Sequence, residues 1–193
     1  TVTAHSMKWS DALVDFEYFL KIERGLSENT VSSYILDVHK LIKYLKSNDI
    51  SQSPIEIKAE VIQQFLYKLA KKTNPRTQSR VISGLRSFFD YLVFEDYRNN
   101  NPLERIENPK IGRKLPHTLS LNEIDRMVKA IDLSNVLGER NRAILETLYS
   151  CGLRVSELTN LKISDLFFAE GFIKVTGKGN KQQPSTESTY FWA

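Results

Sequence analysis

Apolar side chains recur through the first half of the chain at the three- and four-residue spacing that turns one face of an α-helix inward. Leu13, Phe16 and Leu20 form one set, and Val31, Tyr34, Ile35, Val38, Leu41, Ile42 and Leu45 form a longer one. They predict two helices joined at Gly25, with Ser27 as N-cap of the second, its hydroxyl accepting from a free backbone N–H in the first turn. Val61, Phe65, Leu66 and Leu69 predict a third helix over about residues 59–72, with Lys68, Lys71 and Lys72 off its apolar face. A fourth is predicted over about residues 76–96. Its apolar stripe is Val81, Leu85, Phe88, Phe89 and Leu92, which leaves Arg76, Thr77, Arg80, Ser83 and Arg86 grouped on the other side toward its N-terminal end. Phe88, Phe89 and Tyr91 are expected in the core rather than as platforms for base stacking.

The pattern then breaks. Residues 97–119 carry Asn99-Asn100-Asn101-Pro102, Pro109, Gly112 and Pro116, and between Arg98 and Thr118 five cations (Arg98, Arg105, Lys110, Arg113, Lys114) face Glu104 and Glu107. That composition predicts a basic connector, either a solvated tether or an extended chain that follows a phosphate backbone. Helical signal returns at Ser120-Leu-Asn-Glu123, a capping box in which Glu123 reaches back to the Ser120 N–H. Residues 140–150 predict another helix, ended by Gly152 in a left-handed turn, and Arg154 opens the next. Phe172–Thr176 reads as a strand, and Gly177-Lys178-Gly179-Asn180 supplies the turn of a hairpin.

Composition narrows the function classes only modestly. The chain has 193 residues, 41% hydrophobic and 26% charged, with a formal net charge of +4, which tilts the partner toward a polyanion. One cysteine, Cys151, excludes an internal disulfide, and no apolar run reaches the roughly 18 residues needed to span a bilayer. Three scattered histidines offer no metal-ligand spacing, so no metal site is expected; His39 reads as a helix-surface residue and His117 as a connector residue. Residues 1–6 lack the pattern of a secretion signal and read as an appended segment before an initiator at Met7, which makes a cytoplasmic protein the expectation.

Sharper information lies in two motifs. Gly152-Leu-Arg-Val-Ser-Glu-Leu158 resembles the box that carries the first catalytic arginine of the tyrosine site-specific recombinases, the phage integrase family. Val175-Thr-Gly-Lys-Gly-Asn-Lys181 resembles that family's hairpin with its catalytic lysine, here Lys178, twenty-four positions after Arg154. Upstream, residues 25–34 and 79–92 are similar to the family's N-terminal core-binding domain, and Asn101-Pro102 and Lys114-Leu-Pro116 to its linker. The resemblance covers residues 8–181 and fits the XerC/XerD branch better than the phage integrases. It implies a mainly α fold: a four-helix SAM-like core-binding domain over 8–97, a basic linker over 98–118, and over 119–181 the start of an α+β catalytic domain with a small β-hairpin. Residues 182–193 do not resemble the family's continuation.

The resemblance also implies chemistry. Strand exchange through a covalent phosphotyrosine needs charge on the scissile phosphate neutralised and a proton delivered to the departing 5′ oxygen. Arg154 would bind phosphate oxygens through its planar fork, Lys178 would act as general acid, and Glu157, three residues after Arg154, would orient the site. Asn29, Thr30, Arg76, Thr77, Arg80, Ser83, Arg86, Lys114 and Lys181 are the implied DNA contacts, with the 76–92 helix and the start of the 28–46 helix in major grooves. No nucleotide or metal cofactor is implied. The partners are a double-stranded recombination site and a second recombinase subunit, homologous or identical, with an FtsK-like translocase left open as an activator; no membrane is involved. The family's His-x-x-Arg box and tyrosine nucleophile have no counterpart here, since Tyr190 lacks the surrounding motif. The expectation is a chain cut off within the catalytic domain, which binds DNA without cleaving it and exposes apolar surface in its second domain. The alternative, from another class, is a helical protein-interaction adaptor with a basic face.

Overall fold

The computed structural model describes residues 7–112, 115–176 and 182–186. The chain forms two units, Thr1–Lys114 and Leu115–Ala193. In the first, α1 (Trp9–Tyr18) runs on into a π-helical turn, Phe19–Glu23, before the break at Gly25. The sequence did not announce the π turn, because Phe16 and Leu20 are four residues apart and point inward in either geometry. Next come α2 (Glu28–Ser47), α3 (Ala59–Ala70) and α4 (Pro75–Phe94). Asn74 caps α4, its side chain accepting from the Thr77 N–H at 2.9 Å, and Pro75 occupies the first helical position, where its missing N–H costs nothing.

Ser27 sits at the N-cap of α2 but does not cap it as expected. Its hydroxyl pairs with the Thr30 hydroxyl at 3.0 Å instead of a backbone N–H. The inward face of α3 is also rotated from the expected one: Ile62 and Phe65 are buried, while Val61, Leu66 and Leu69 are only partly covered.

The stripes of α2 and α4 meet in the core. Phe88 is its hub, with Phe16 edge-on at 5.2 Å, Phe89 edge-on at 5.2 Å and Trp9 stacked at 5.9 Å between ring centroids. The Trp9 indole N–H donates to the Gln52 carbonyl at 2.8 Å and fastens the loop between α2 and α3. Arg98 ties the same loop from the other side, donating to the carbonyls of Pro54 and Ile57 while lying over the Phe89 ring. The chain beyond α4 keeps packing on this unit. Asn101 donates to the Arg86 carbonyl and to Asp90, and Leu103 is fully buried.

The second unit contains α5 (Leu121–Lys129), α6 (Gly138–Cys151) and α7 (Val155–Thr159). A 3₁₀ turn, Ile163–Asp165, leads into an antiparallel sheet in the order β1 (Leu166–Phe167), β2 (Phe172–Thr176), β3 (Gln182–Thr186). The capping box at Ser120 is present, with the Ser120 N–H donating to Glu123 at 2.8 Å and the Glu123 N–H to the Ser120 hydroxyl at 3.4 Å. Phe167 and Phe172 stand opposite each other across β1 and β2, their rings stacked at 4.5 Å. At two residues, β1 is too short to show a period and was not foreseen. Among the described residues no helix is long and apolar enough to cross a membrane.

Packing beyond α4 is checked by substitution. Leu103→Ala should lower the unfolding free energy of the first unit by about 2–5 kcal/mol in a urea titration. Leu115→Ala, at an 89% exposed position, should stay within about 0.5 kcal/mol of the parent.

Candidate nucleic-acid interface and active site

In the first unit the implied contacts fall into two classes. Asn29 is exposed at the start of α2, Thr30 is half-buried beside it, and Arg76 and Ser83 are exposed on α4. Arg76 has no ion pair or hydrogen bond among the described residues, while Ser83 bonds only within its own helix, to the Ser79 carbonyl at 2.9 Å. Thr77 is half-buried, its N–H taken by Asn74.

The two arginines further along α4 each give one nitrogen to a contact within the first unit, which the sequence reading did not foresee. Arg80 Nη1 donates to both oxygens of Asp37 at 2.8 and 2.6 Å. Arg86 Nη2 donates to the Ile106 carbonyl at 2.7 Å and so clips the chain beyond α4 back onto the helix.

Asp37 itself was not singled out. Its carboxylate is fully buried between α2 and α4, and Lys40 also donates to it at 2.9 Å. A signal was there to read: position 37 continues the inward series 34, 37, 41, so an acid there had to be paired or costly.

In the second unit the Arg154 turn is built by local rules. Gly152, at φ +62°, ends α6 in the left-handed conformation that L side chains rarely adopt, which lets the chain reverse into α7 within a few residues. Arg154 is the N-cap of α7. Its backbone N–H donates to Glu157 Oε2 at 2.8 Å and its Nη1 to Oε1 at 2.7 Å. The Glu157 side chain is only 9% exposed, whereas that of Arg154 is 77% exposed. The backbone N–H of Arg154, then its guanidinium, hold the Glu157 carboxyl below the usual carboxylate range. A carboxylate gripped on one side by the turn thus fixes a guanidinium that is open on the other.

A small cleft of about 230 Å³ next to this turn is lined by Glu157, Asn160, Lys162, Asp165 and Lys174 of β2. Lys174 was not among the residues picked from sequence. Lys178 and Lys181 fall in 177–181, which joins β2 to β3, and with Lys114 and Tyr190 they lie outside the described residues.

Comparison with known proteins agrees across both units. Residues 13–96 match the family model of the phage integrase N-terminal SAM-like domain, and residues 117–187 match that of the phage integrase family. The second match runs past residue 182, where the sequence resemblance had been ended, and takes in β3. Tyrosine recombinase XerD of Oceanobacillus iheyensis is 44% identical over 173 residues, covering 89% of this chain and 58% of its own length. The XerD of Listeria innocua is 38% identical over 175 residues, covering 90% of this chain and 59% of its own length. The chain therefore spans less than two thirds of these curated relatives. Among solved structures, a lambda integrase dimer bound to a COC' core site superposes with a TM-score of 0.72 at 20% identity, over 92% of this chain and 62% of that one. XerH bound to a palindromic difH substrate does so with a TM-score of 0.62 at 23% identity, over 89% and 52%. At such identities the likeness is one of fold.

The Arg154–Glu157 pair can be tested by pH. Glu157 has a depressed folded-state pKa, so its contribution to stability is present above the unfolded value of about 4.3 and is lost as pH falls through the folded one. The Glu157 carboxyl carbon followed by NMR should titrate below that reference. In Arg154→Ala the midpoint should rise only part of the way, since the backbone N–H, the larger cause, remains. A wild-type midpoint at or above the reference would mean that the pair does not form.

Proposed function

We propose that this chain, which belongs to the phage integrase family of tyrosine recombinases, is the DNA-binding part and the first section of the catalytic part of a Xer-type site-specific recombinase. The observation that carries the reading is the Arg154 turn. A guanidinium 77% exposed, held by a nearly buried carboxylate, is suited to grip two oxygens of a phosphodiester and stays charged at any physiological pH. The row of Arg76, Arg80 and Ser83, spaced four and three positions apart on α4, supplies phosphate and base contacts in a major groove, together with Asn29 and Thr30. The XerD tyrosine recombinases similar to this chain, and the DNA bound to the lambda integrase and XerH fold neighbours, favour a duplex as the ligand.

In this reading the whole protein cleaves one strand of a recombination site through a phosphotyrosine and exchanges it with a second recombinase subunit. The phosphotyrosine conserves the energy of the broken phosphodiester, so rejoining needs no nucleotide. Arg154 neutralises charge on the scissile phosphate, Glu157 keeps it in place, and Lys178 donates a proton to the departing 5′ oxygen. Arg86, Lys114 and Lys181 supply further phosphate contacts. These 193 residues bind the duplex without cleaving it.

The test is a gel-shift titration of a duplex carrying a Xer-type recombination site against a scrambled duplex over a salt series, with a denaturing gel for protein–DNA adducts. The expected outcome is tighter binding to the site, weakening linearly in log affinity against log salt, with no adduct. An adduct would show that these residues do contain a working nucleophile. Equal and weak binding to both duplexes would favour a protein-interaction adaptor.

A further inference from the structure

We infer that Asp37 is a positioning residue for DNA recognition, holding Arg80 by one edge so that its other edge is presented to a backbone phosphate. The inference rests on the DNA-binding reading above and specifies how α4 would carry it out.

Of the three guanidinium nitrogens, Nη1 alone bonds within the described residues, to both Asp37 oxygens. Nε and Nη2 have no partner among the described residues, and the Arg80 side chain is 43% exposed. Those two nitrogens form the parallel N–H pair whose spacing matches two oxygens of a phosphate. An arginine anchored at Nη1 has lost most of its rotamer freedom before any ligand arrives, so less ordering is needed on binding.

The anchor is itself immobilised. Asp37 is fully buried, and a Cβ built on Gly84 of α4 would lie 2.9 Å from Asp37 Oδ2 and 3.0 Å from its Cβ. The carboxylate fills the space that the glycine leaves, so it has nowhere to move. Lys40, one turn along α2, closes the cluster, and its side chain is 39% exposed. One carboxylate between two cations leaves a net positive charge at the surface where α2 meets α4. Arg76 lies one turn before Arg80 and Ser83 about one turn after, both exposed, so the open edge of Arg80 falls in a row of donors. An ion pair serving only the fold would not need a guanidinium, since an ammonium could meet the same carboxylate.

That difference supplies the experiment. In Arg80→Lys the charge and the partner of Asp37 are kept, but a single ammonium cannot bond the carboxylate and also present a planar fork outward. The full chain and the variant are titrated with the duplex carrying a Xer-type site over a salt series, and thermal unfolding is followed in parallel. Arg80→Lys is expected to bind several-fold more weakly, with the slope of log affinity against log salt reduced by about one. Affinity and slope equal to the parent's would overturn the inference and leave Arg80 as a counter-ion of the fold.

Asp37→Asn, which keeps shape and removes the anchor, covers the case in which the first variant does not fold. Both cations remain and lose the carboxylate that offset them, so its slope should not fall, while affinity well below its unfolding temperature falls roughly two- to tenfold from lost preorganisation. A lowered unfolding temperature with parental affinity would overturn the positioning role. If the parent chain shows no salt-dependent duplex binding at all, the DNA reading fails, and that result is distinct from either variant's.

Discussion

A carboxylate enclosed between two helices sets the terms for the first unit. Taking Asp37 out of water costs on the order of several kcal/mol, and removing a partner from such a group is more damaging than the pair is stabilising. α2 and α4 can therefore pack closely only with Arg80 and Lys40 in reach and with no side chain at position 84. A glycine inside a helix costs about 0.5–1 kcal/mol relative to alanine, and here it makes room for the acid. Once the two helices are locked in this register, their stripes present Val38, Leu41, Leu85 and Phe88 to the same interior. α1, α3 and the Arg98–Ile106 segment then cover that interior from outside.

The second unit is held together differently. Over residues 115–175 only Gly138, Thr147 and Val175 are buried. Its order comes from local hydrogen bonds: Ser120 with Glu123, Arg154 with Glu157, and the Lys162 N–H with Asp165. The three strands add a ladder of backbone bonds. Such contacts fix short-range geometry at small gain each, whereas burial is what makes a domain cooperative. Leu115, Val136, Val155, Ile163 and Phe168 are all more than half exposed.

How much of this was legible in the sequence depended on the range of the interaction. The helices of the first unit, the capping box at Ser120, the left-handed Gly152 and the strand at 172–176 each follow from residues a few positions apart, and all are present. Boundaries moved by a few residues where a cap decided them, as Asn74 and Pro75 did for α4. The contacts that Arg80 and Arg86 make within the first unit were not foreseen. Their partners, Asp37 and the Ile106 carbonyl, lie 43 and 20 positions away, and helical periodicity carries no information at that distance. Ser27 shows the reverse: a residue at the right position whose hydroxyl found a nearer partner in Thr30.

Both units contain the same device at different degrees of burial. In each, a carboxylate with little or no exposure grips a guanidinium on one side and leaves it open on the other: Asp37 with Arg80, at 0% and 43% exposure, and Glu157 with Arg154, at 9% and 77%. An unanchored surface arginine would carry the same charge, but it would have to be ordered when an anion arrives and would attract any anion indiscriminately. Anchoring gives up part of the long-range attraction, since the carboxylate cancels one charge, in return for a fixed direction of approach. That exchange suits a protein that must locate one phosphate among many equivalent ones. In the DNA-binding reading proposed above, net charge would bring the protein to the polyanion and the held guanidinium would select the register in which it lies.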